Sequence, residues 1–184
     1  MSLSERKWNQ VSRFLRPILL SCLVLASACT VRPLYAPATS TGPGASTTAE
    51  LASISVKPAT TRYGQEVRNH MIFLLNGGKG EPASPAYTLD LGVTSRNEAA
   101  AIIQIGDEDE PTAGTVTVAS SYTLSNGGTV VAKGTRQVAS SYDAPRQEFA
   151  RLRATRDAEN RAARELAELV RLAVAQDLER LASK

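Results

Sequence analysis

Thiols, imidazoles and aromatic rings are scarce in this 184-residue chain, which has two cysteines, one histidine and 5% aromatic residues. A single imidazole excludes a histidine-rich metal site. It leaves any Ser-His-Asp arrangement to His70, which stands between Val67 and Leu74 in an apolar pattern and reads as a helix-surface residue. The acidic run Asp107-Glu108-Asp109-Glu110 lacks the spaced oxygen ligands and central glycine of an EF-hand loop, so it reads as a solvated hairpin tip. Gly77-Gly78-Lys79-Gly80 lacks Walker spacing and follows a helical pattern rather than a strand. No carboxylate pair stands out for acid/base work. Together these shortages argue against an enzyme, a metal site or a bound cofactor.

A membrane-spanning run is also missing. The apolar stretch Pro17–Ala28 covers 12 residues, roughly 18 Å as a helix at ~1.5 Å per residue, against about 30 Å of hydrocarbon. Arg6, Lys7, Arg13 and Arg16 precede it, which makes the whole a signal peptide. The segment ends Leu25-Ala26-Ser27-Ala28-Cys29, small residues leading straight into a cysteine, as lipoprotein signal peptidase requires. Cys22 also follows a lipobox-like Leu19-Leu20-Ser21, but cleavage there leaves only Pro17–Ser21 as the apolar region. Residues 1–28 are therefore expected to be removed, leaving Cys29 as an N-acylated, S-diacylglyceryl (palmitate-type) anchor. Three acyl chains suffice for stable membrane attachment. Thr30, rather than aspartate, after the cysteine points to the periplasmic face of the outer membrane.

Cleavage changes the chemistry of what remains. The full chain carries 21 Lys and Arg against 18 Asp and Glu; losing Arg6, Lys7, Arg13, Arg16 and Glu5 leaves 17 of each sign. Bulk charge thus gives no reason to expect nucleic-acid binding. No cysteine is left for a disulfide, so an apolar core must hold the mature 156 residues together.

Thr30–Ala49 is rich in Pro, Gly, Ser, Thr and Ala and is expected to be a flexible tether, making 29–49 a lipidated linker and 50–184 one periplasmic domain. Leu51–Lys57 alternates and reads as a first strand. Tyr63, Val67, Met71, Leu74 and Leu75 form one helical stripe over Thr61–Asn76, with Thr60 or Thr61 as N-cap and Gly77-Gly78 as terminator. Tyr87, Leu89, Leu91 and Val93 alternate as a second strand, continuing past a bulge near Asn97–Ala100 through Ile102, Ile103 and Ile105. Val116, Val118, Tyr122 and Leu124, with Ser120 in register, mark a third. Ser125-Asn126-Gly127-Gly128 is a hairpin signal, and a fourth strand runs from Thr129 to about Tyr142. A long helix is expected from about Ala144 to Ala182, with Asp143 as N-cap. Its stripe is Leu152, Ala163, Leu166, Val170, Val174 and Leu181, interrupted by Arg156, Glu159 and Asp177. Arg153, Asp157, Arg161 and Glu165 alternate in sign along a second row, a pattern typical of a solvated face. The order β-α-β-β-β-α predicts an α+β fold, two helices on one face of a four-stranded, mostly antiparallel or mixed sheet.

Several local motifs then converge. They are Cys29-Thr30-Val31-Arg32-Pro33-Leu34-Tyr35, Arg62-Tyr63-Gly64-Gln65-Glu66-Val67-Arg68-Asn69, Pro85-Ala86-Tyr87-Thr88-Leu89, Ser141-Tyr142 and Asp157-Ala158-Glu159-Asn160-Arg161-Ala162. In this order they resemble the LptE family, the outer-membrane lipoproteins of lipopolysaccharide assembly, in its alphaproteobacterial form. Thr30 and Val31 depart from the Gly-Phe often found there. The resemblance implies two helices on a four-stranded sheet, a plug within the LptD barrel, help in folding that barrel, and lipopolysaccharide delivery to the cell surface. Some members bind lipopolysaccharide through basic residues near the sheet. By charge and position, the candidates here for an anionic lipid A phosphate are Arg96, Lys133 and Arg136, although such residues more often serve as ordinary surface charges on a sheet edge. Arg153 and Arg161 mark a possible partner-facing surface. Two other readings share the lipobox, tether and small domain: an auxiliary lipoprotein of an envelope lipid-transport system, and a pilotin-type scaffold. The partner would discriminate them: a barrel, an inner-membrane transporter or a secretin.

Overall fold

The structure is a computed structural model that describes residues 43–105 and 108–183, so the leader, Cys29 and Asp107 lie outside the described residues. Along the described chain run α1 (Pro43–Leu51), β1 (Ile54–Val56), α2 (Arg62–Asn76), β2 (Tyr87–Ile105), β3 (Glu108–Asn126), β4 (Thr129–Asp143) and α3 (Glu148–Ala182). The sheet has the order β1-β2-β3-β4, with β1 parallel to β2 and the remaining pairs antiparallel. Both long helices pack against the sheet and against each other. The expected α+β architecture is therefore present, with one further short helix ahead of it.

Local chemistry explains most boundaries. The Thr61 hydroxyl accepts from the Gly64 N–H at 3.1 Å, capping α2. Gly77 ends the helix in the left-handed region at φ 59°, its N–H donating to the Phe73 carbonyl. Gly127 and Gly128 supply the positive φ angles of the β3–β4 hairpin, at 56° and 85°. The expected bulge in β2 appears as register shifts around Ala101.

Parity decides which side of the sheet is apolar. On β3 the even positions Val116, Val118, Ser120, Tyr122 and Leu124 are buried. Their register partners are Asn97, Ser95, Val93, Leu91 and Leu89 on β2, and Ser140, Val138, Arg136, Gly134 and Ala132 on β4. Paired residues share a face, so this set lies on the side of the sheet that the helices pack against. From above, Val67, Met71 and Leu75 of α2 and Ala163, Leu166, Ala167, Val170, Val174 and Leu178 of α3 complete one core.

Four boundaries differ from those expected from the sequence. The supposed tether becomes helical at Pro43, and Leu51, expected to open β1, is instead the buried last residue of α1. β1 shrinks to Ile54–Val56, since only these residues find partners on β2. β3 begins at Glu108 rather than near Val116, because Ile105 pairs with Glu108 and the hairpin stays zipped through the acidic run. Finally, Asp143 is no helix cap. It pairs with Ala113 as the last residue of β4, and α3 starts at Glu148 with Gln147 as an N-cap that makes no side-chain bond.

The edge strand β1 is closed by side chains rather than by another strand. Glu81 accepts from the Val56 N–H at 2.8 Å and from the Arg68 guanidinium at 2.7 Å, while Arg68 Nε donates to the carbonyls of Val56 and Lys57, each at 3.1 Å. These bonds satisfy backbone groups that an open edge leaves unpaired.

Among the described residues one charged side chain is buried. Asp177, an interruption in the apolar stripe of α3, is buried and accepts from the Tyr122 hydroxyl at 2.8 Å; Arg180 pairs with its other oxygen. Tyr122 reaches it by lying across its register partner Gly134, where a Cβ would come within 2.7 Å of the hydroxyl oxygen. Tyr142 lies over its own register partner Gly114 in the same manner and donates to Asn97 Oδ1 at 2.9 Å. Glycine is required at both places because the ring occupies the space of the missing side chain.

Burial, and then the bond to Asp177, push the Tyr122 hydroxyl up to about 12. The unfolded chain loses this proton near pH 10 and the folded chain keeps it to about 12. Stability from this group is therefore complete below pH 10 and declines between pH 10 and 12, by about 2–3 kcal/mol at ~1.4 kcal/mol per unit. Tyr122→Phe is expected to cost about 1–3 kcal/mol near neutrality by stranding part of the Asp177 carboxylate, and to lack that alkaline decline. Denaturant unfolding at pH 8, 10 and 11.5 measures both; parallel pH profiles for the two proteins would refute the assignment.

Candidate functional site

The residues singled out in the sequence fall into three places. The first is a junction between helices and sheet. Arg62, at the start of α2, donates to Asn160 Oδ1 at 2.8 Å and pairs with Glu159 on α3. Arg161 pairs with Asp157 one turn earlier, and reaches the Ser140 hydroxyl at 3.3 Å and the Ser141 carbonyl at 2.9 Å. Residues from three of the local motifs thus meet: Arg62 from one, Ser141 from a second, and Asp157 to Arg161 from a third. Arg161, expected on a partner-facing surface, is engaged within the domain, where it bridges α3 to the end of β4.

The second place is the sheet face turned away from the helices. Its odd β3 positions are Thr115, Thr117, Ala119, Ser121, Thr123 and Ser125, flanked by Thr88, Asp90, Gly92, Thr94, Arg96 and Glu98 on β2 and by Lys133, Thr135, Gln137, Ala139 and Ser141 on β4. Small hydroxyl-bearing residues dominate this face, with charges at Asp90, Arg96, Glu98 and Lys133 and with Val130, the partner of Ser125, exposed at one end. Arg96 and Lys133 both stand on it, yet they are not neighbours. Lys133 aligns through Thr123 with Asp90, six residues before Arg96 along β2, a separation of roughly 20 Å at ~3.3 Å per residue. Arg96 is 80% exposed and pairs with Glu98 at 2.8 Å. Asp90 in turn pairs with Lys57 at 2.8 Å.

Arg136 belongs to the other side of the sheet. It is the register partner of buried Ser120 and donates to the Thr135 carbonyl at 2.7 Å. The three cations proposed for a phosphate therefore occupy two faces and form no single cluster. Once the register is known, parity alone separates Arg136 from Lys133. The sequence could not supply that register, because the extra residue near Leu124 shifts the pairing of β4.

The third place is the start of α3. No residue from Glu148 to Asp157 is buried; the core-facing positions begin at Ala158. A cavity of about 650 Å³ lies beside this segment, between Ala154, Asp157 and Arg161 on one side and Thr112, Ala113, Tyr142 and Pro145 on the other. Arg153, the other partner-facing candidate, stacks its guanidinium over the Phe149 ring at 5.8 Å. Leu152, which its spacing assigns to the buried stripe, is exposed, and so is Phe149, which stands outside the expected stripe.

His70 pairs with Glu66 at 3.2 Å on the flank of α2, the helix-surface position expected for it. Among the described residues no three His, Cys, Asp or Glu side chains gather as a metal site, and no helix is long and apolar enough to cross a membrane.

Against this geometry stand the comparisons with known proteins. The family model described as LptE, lipopolysaccharide-assembly, matches residues 51–174. The chain belongs to the LptE family. That match spans every described element from β1 to β4 and most of α3, including the junction around Arg62 and Arg161. Among solved structures, a Caulobacter crescentus lipoprotein is 26% identical, with TM-score 0.58, covering 72% of this chain and 95% of its own. The rare lipoprotein B of Shewanella oneidensis is similar in fold at 13% identity and TM-score 0.52, covering 70% of this chain and 96% of its own. The minor lipoprotein of Acinetobacter baumannii is likewise similar at 13% identity and TM-score 0.52, covering 67% and 90%. No curated protein matches the chain. Family membership makes this LptE-type chain a lipoprotein of lipopolysaccharide assembly.

Arg161→Ala is expected to release the end of β4 rather than a ligand. Amide exchange at Ser140–Asp143 should rise while global stability falls by no more than about 1 kcal/mol, the usual range for exposed pairs. Unchanged exchange there would show that Arg161 does not tie the two elements together.

Proposed function

We propose that this LptE-family chain is held at the periplasmic face of the outer membrane by acylated Cys29 and forms a complex with an LptD-like barrel. There it acts as plug and assembly factor in lipopolysaccharide transport to the cell surface, without catalysing a reaction. The observation that carries this reading is the family match over residues 51–174 on a sheet with one face left open. That open face is populated mainly by Ser, Thr, Gly and Ala, with charges at Asp90, Arg96, Glu98 and Lys133 and with exposed Val130 beside Ser125 at one end. The interior of an outer-membrane barrel is polar, and a hydroxyl-rich face of small side chains suits close hydrogen-bonded approach to such a wall.

Residues 1–28 act as the signal peptide and 29–42 as the tether in this reading, with the domain beginning at α1. Lipopolysaccharide contacts are assigned to Arg96 and Lys133 on the open face, with Arg136 on the helix side of the sheet. Because roughly 20 Å separates Arg96 from Lys133 at ~3.3 Å per residue, one phosphate meets only one of them. Arg96→Ala and Lys133→Ala are therefore expected to weaken lipopolysaccharide binding by less than about threefold each and additively. A strongly non-additive pair, measured on immobilised lipopolysaccharide, would require a shared site.

The direct test is purification of the acylated protein from its native envelope in detergent, with partners and the mature N-terminus identified by mass. A near-equimolar large barrel and a lipid-modified Cys29 are expected. Recovery of an inner-membrane transporter or a secretin in its place would refute the assignment.

A further inference from the structure

We propose that Phe149, Leu152, Arg153 and Arg156 form an anchor that docks into an apolar pocket rimmed by carboxylates on the barrel partner. This inference rests on the barrel reading and names the part of the domain that contacts the barrel protein. At 100° per residue these four side chains fall within an arc of about 100° on α3. The same arc, continued along the helix, carries Ala163, Val170 and Val174 into the core. Among the described residues, the helix thus keeps its apolar stripe beyond the last element that covers it. At that point the stripe holds Phe149, 65% exposed, and Leu152, 43% exposed. These are two of the four large exposed hydrophobic residues among those described, the others being Phe73 and Val130.

Charge selects the occupant. Glu148 pairs with Arg151, and Asp157 with Arg161. Arg153 meets only the Phe149 ring, and Arg156 has no carboxylate partner among the described residues. The anchor is therefore two apolar side chains bracketed by two cations whose complement is acidic. Aromatic and arginine side chains together are the composition enriched at the energetic centre of protein interfaces.

Position favours a protein over the anchoring membrane. β1 follows directly on α1 and pairs Ile54 with Tyr87, which pairs with Asn126; the Tyr122–Asp177 bond sets the last turns of α3 at that same end of the sheet. The first turns of α3 lie at the opposite end, about 40 Å away along the helix at ~1.5 Å per residue. The anchor thus stands far from the helix through which the lipid tether enters the domain.

The test is co-expression of the full-length chain with the tagged LptD-like barrel of the same envelope, followed by detergent purification and quantification of the ratio of the two proteins. Phe149→Ala/Leu152→Ala is expected to lower recovery about tenfold or more, as loss of an interface centre does. Arg153→Glu/Arg156→Glu should lower it comparably, and Phe73→Ala, equally exposed on α2, should leave it unchanged. Circular dichroism melting of each variant alone should match the unmodified protein. If both double variants recover the barrel at the normal ratio, the anchor assignment fails while the barrel reading stands. If the unmodified chain recovers no barrel, both fail. If the double variants instead lose binding to phosphatidylglycerol vesicles with barrel recovery intact, the surface is a membrane contact and the proposal is overturned.

Discussion

The contact between α3 and the even-numbered positions of β3 and β4 supports everything else in this domain. It brings Leu166, Val170 and Val174 against Val116, Val118 and Val138, with Ala162, Ala163, Ala167 and Ala173 spaced between them. Small alanines allow the helix axis to approach the sheet closely, and each fully buried Leu or Val contributes about 1.5–3 kcal/mol by transfer from water. With no cysteine available in the described domain to cross-link it, this burial has to offset the conformational entropy of ordering a long hairpin and a 35-residue helix.

Polar groups in the structure serve to orient that apolar contact. The Tyr122–Asp177 bond sets the azimuth and axial position of α3 at one end of the sheet, and Arg161 sets them near the other. Between these two ties the helix has little freedom to slide. Tyr122 and Tyr142 each need a glycine directly across the strand pair, so two glycines that contribute nothing to the core determine where the tyrosine hydroxyls end up. Arg62 then aligns α2 with α3 at the level of Glu159 and Asn160. Family motifs scattered over a hundred residues of sequence thus act largely as a scaffold: they hold the helices in register over the sheet.

Function is then left to surfaces that the scaffold does not consume. One face of the sheet and the first turns of α3 are uncovered, and they differ in kind. The sheet face is flat, small and hydroxylated, suited to many weak polar contacts spread over area. The helix start is compact, aromatic and cationic, suited to a few strong ones.

Much of this was readable from residue order because it depends on neighbours a few positions apart. The Thr61 cap, the Gly77 terminator, the Asn126-Gly127-Gly128 hairpin and the alternation of β2 and β3 all act within one turn or one pleat. The bulge in β2 and the six main elements followed from the same local rules. What the sequence could not settle depended on partners distant in the chain. Pro43–Leu51 becomes a helix although its Ser and Thr content favours neither state, because Leu51 finds a place in the core. Asp143 has the chemistry of a helix cap and is drawn into β4 by pairing with Ala113. Asp177 looks like a flaw in an apolar stripe until Tyr122, 55 residues earlier, supplies its hydrogen bond. Lys133 and Arg136, three residues apart on one strand, face opposite ways by the period-two pleat, but only the register shift near Leu124 decides that Lys133 is the one sharing a face with Arg96. Composition and short-range pattern determined the class and the six main elements, and the order of the motifs carried the resemblance to the family. Only the tertiary fold decided which charges are structural and which surface is free, because both depend on strand register and helix azimuth, quantities set by long-range burial.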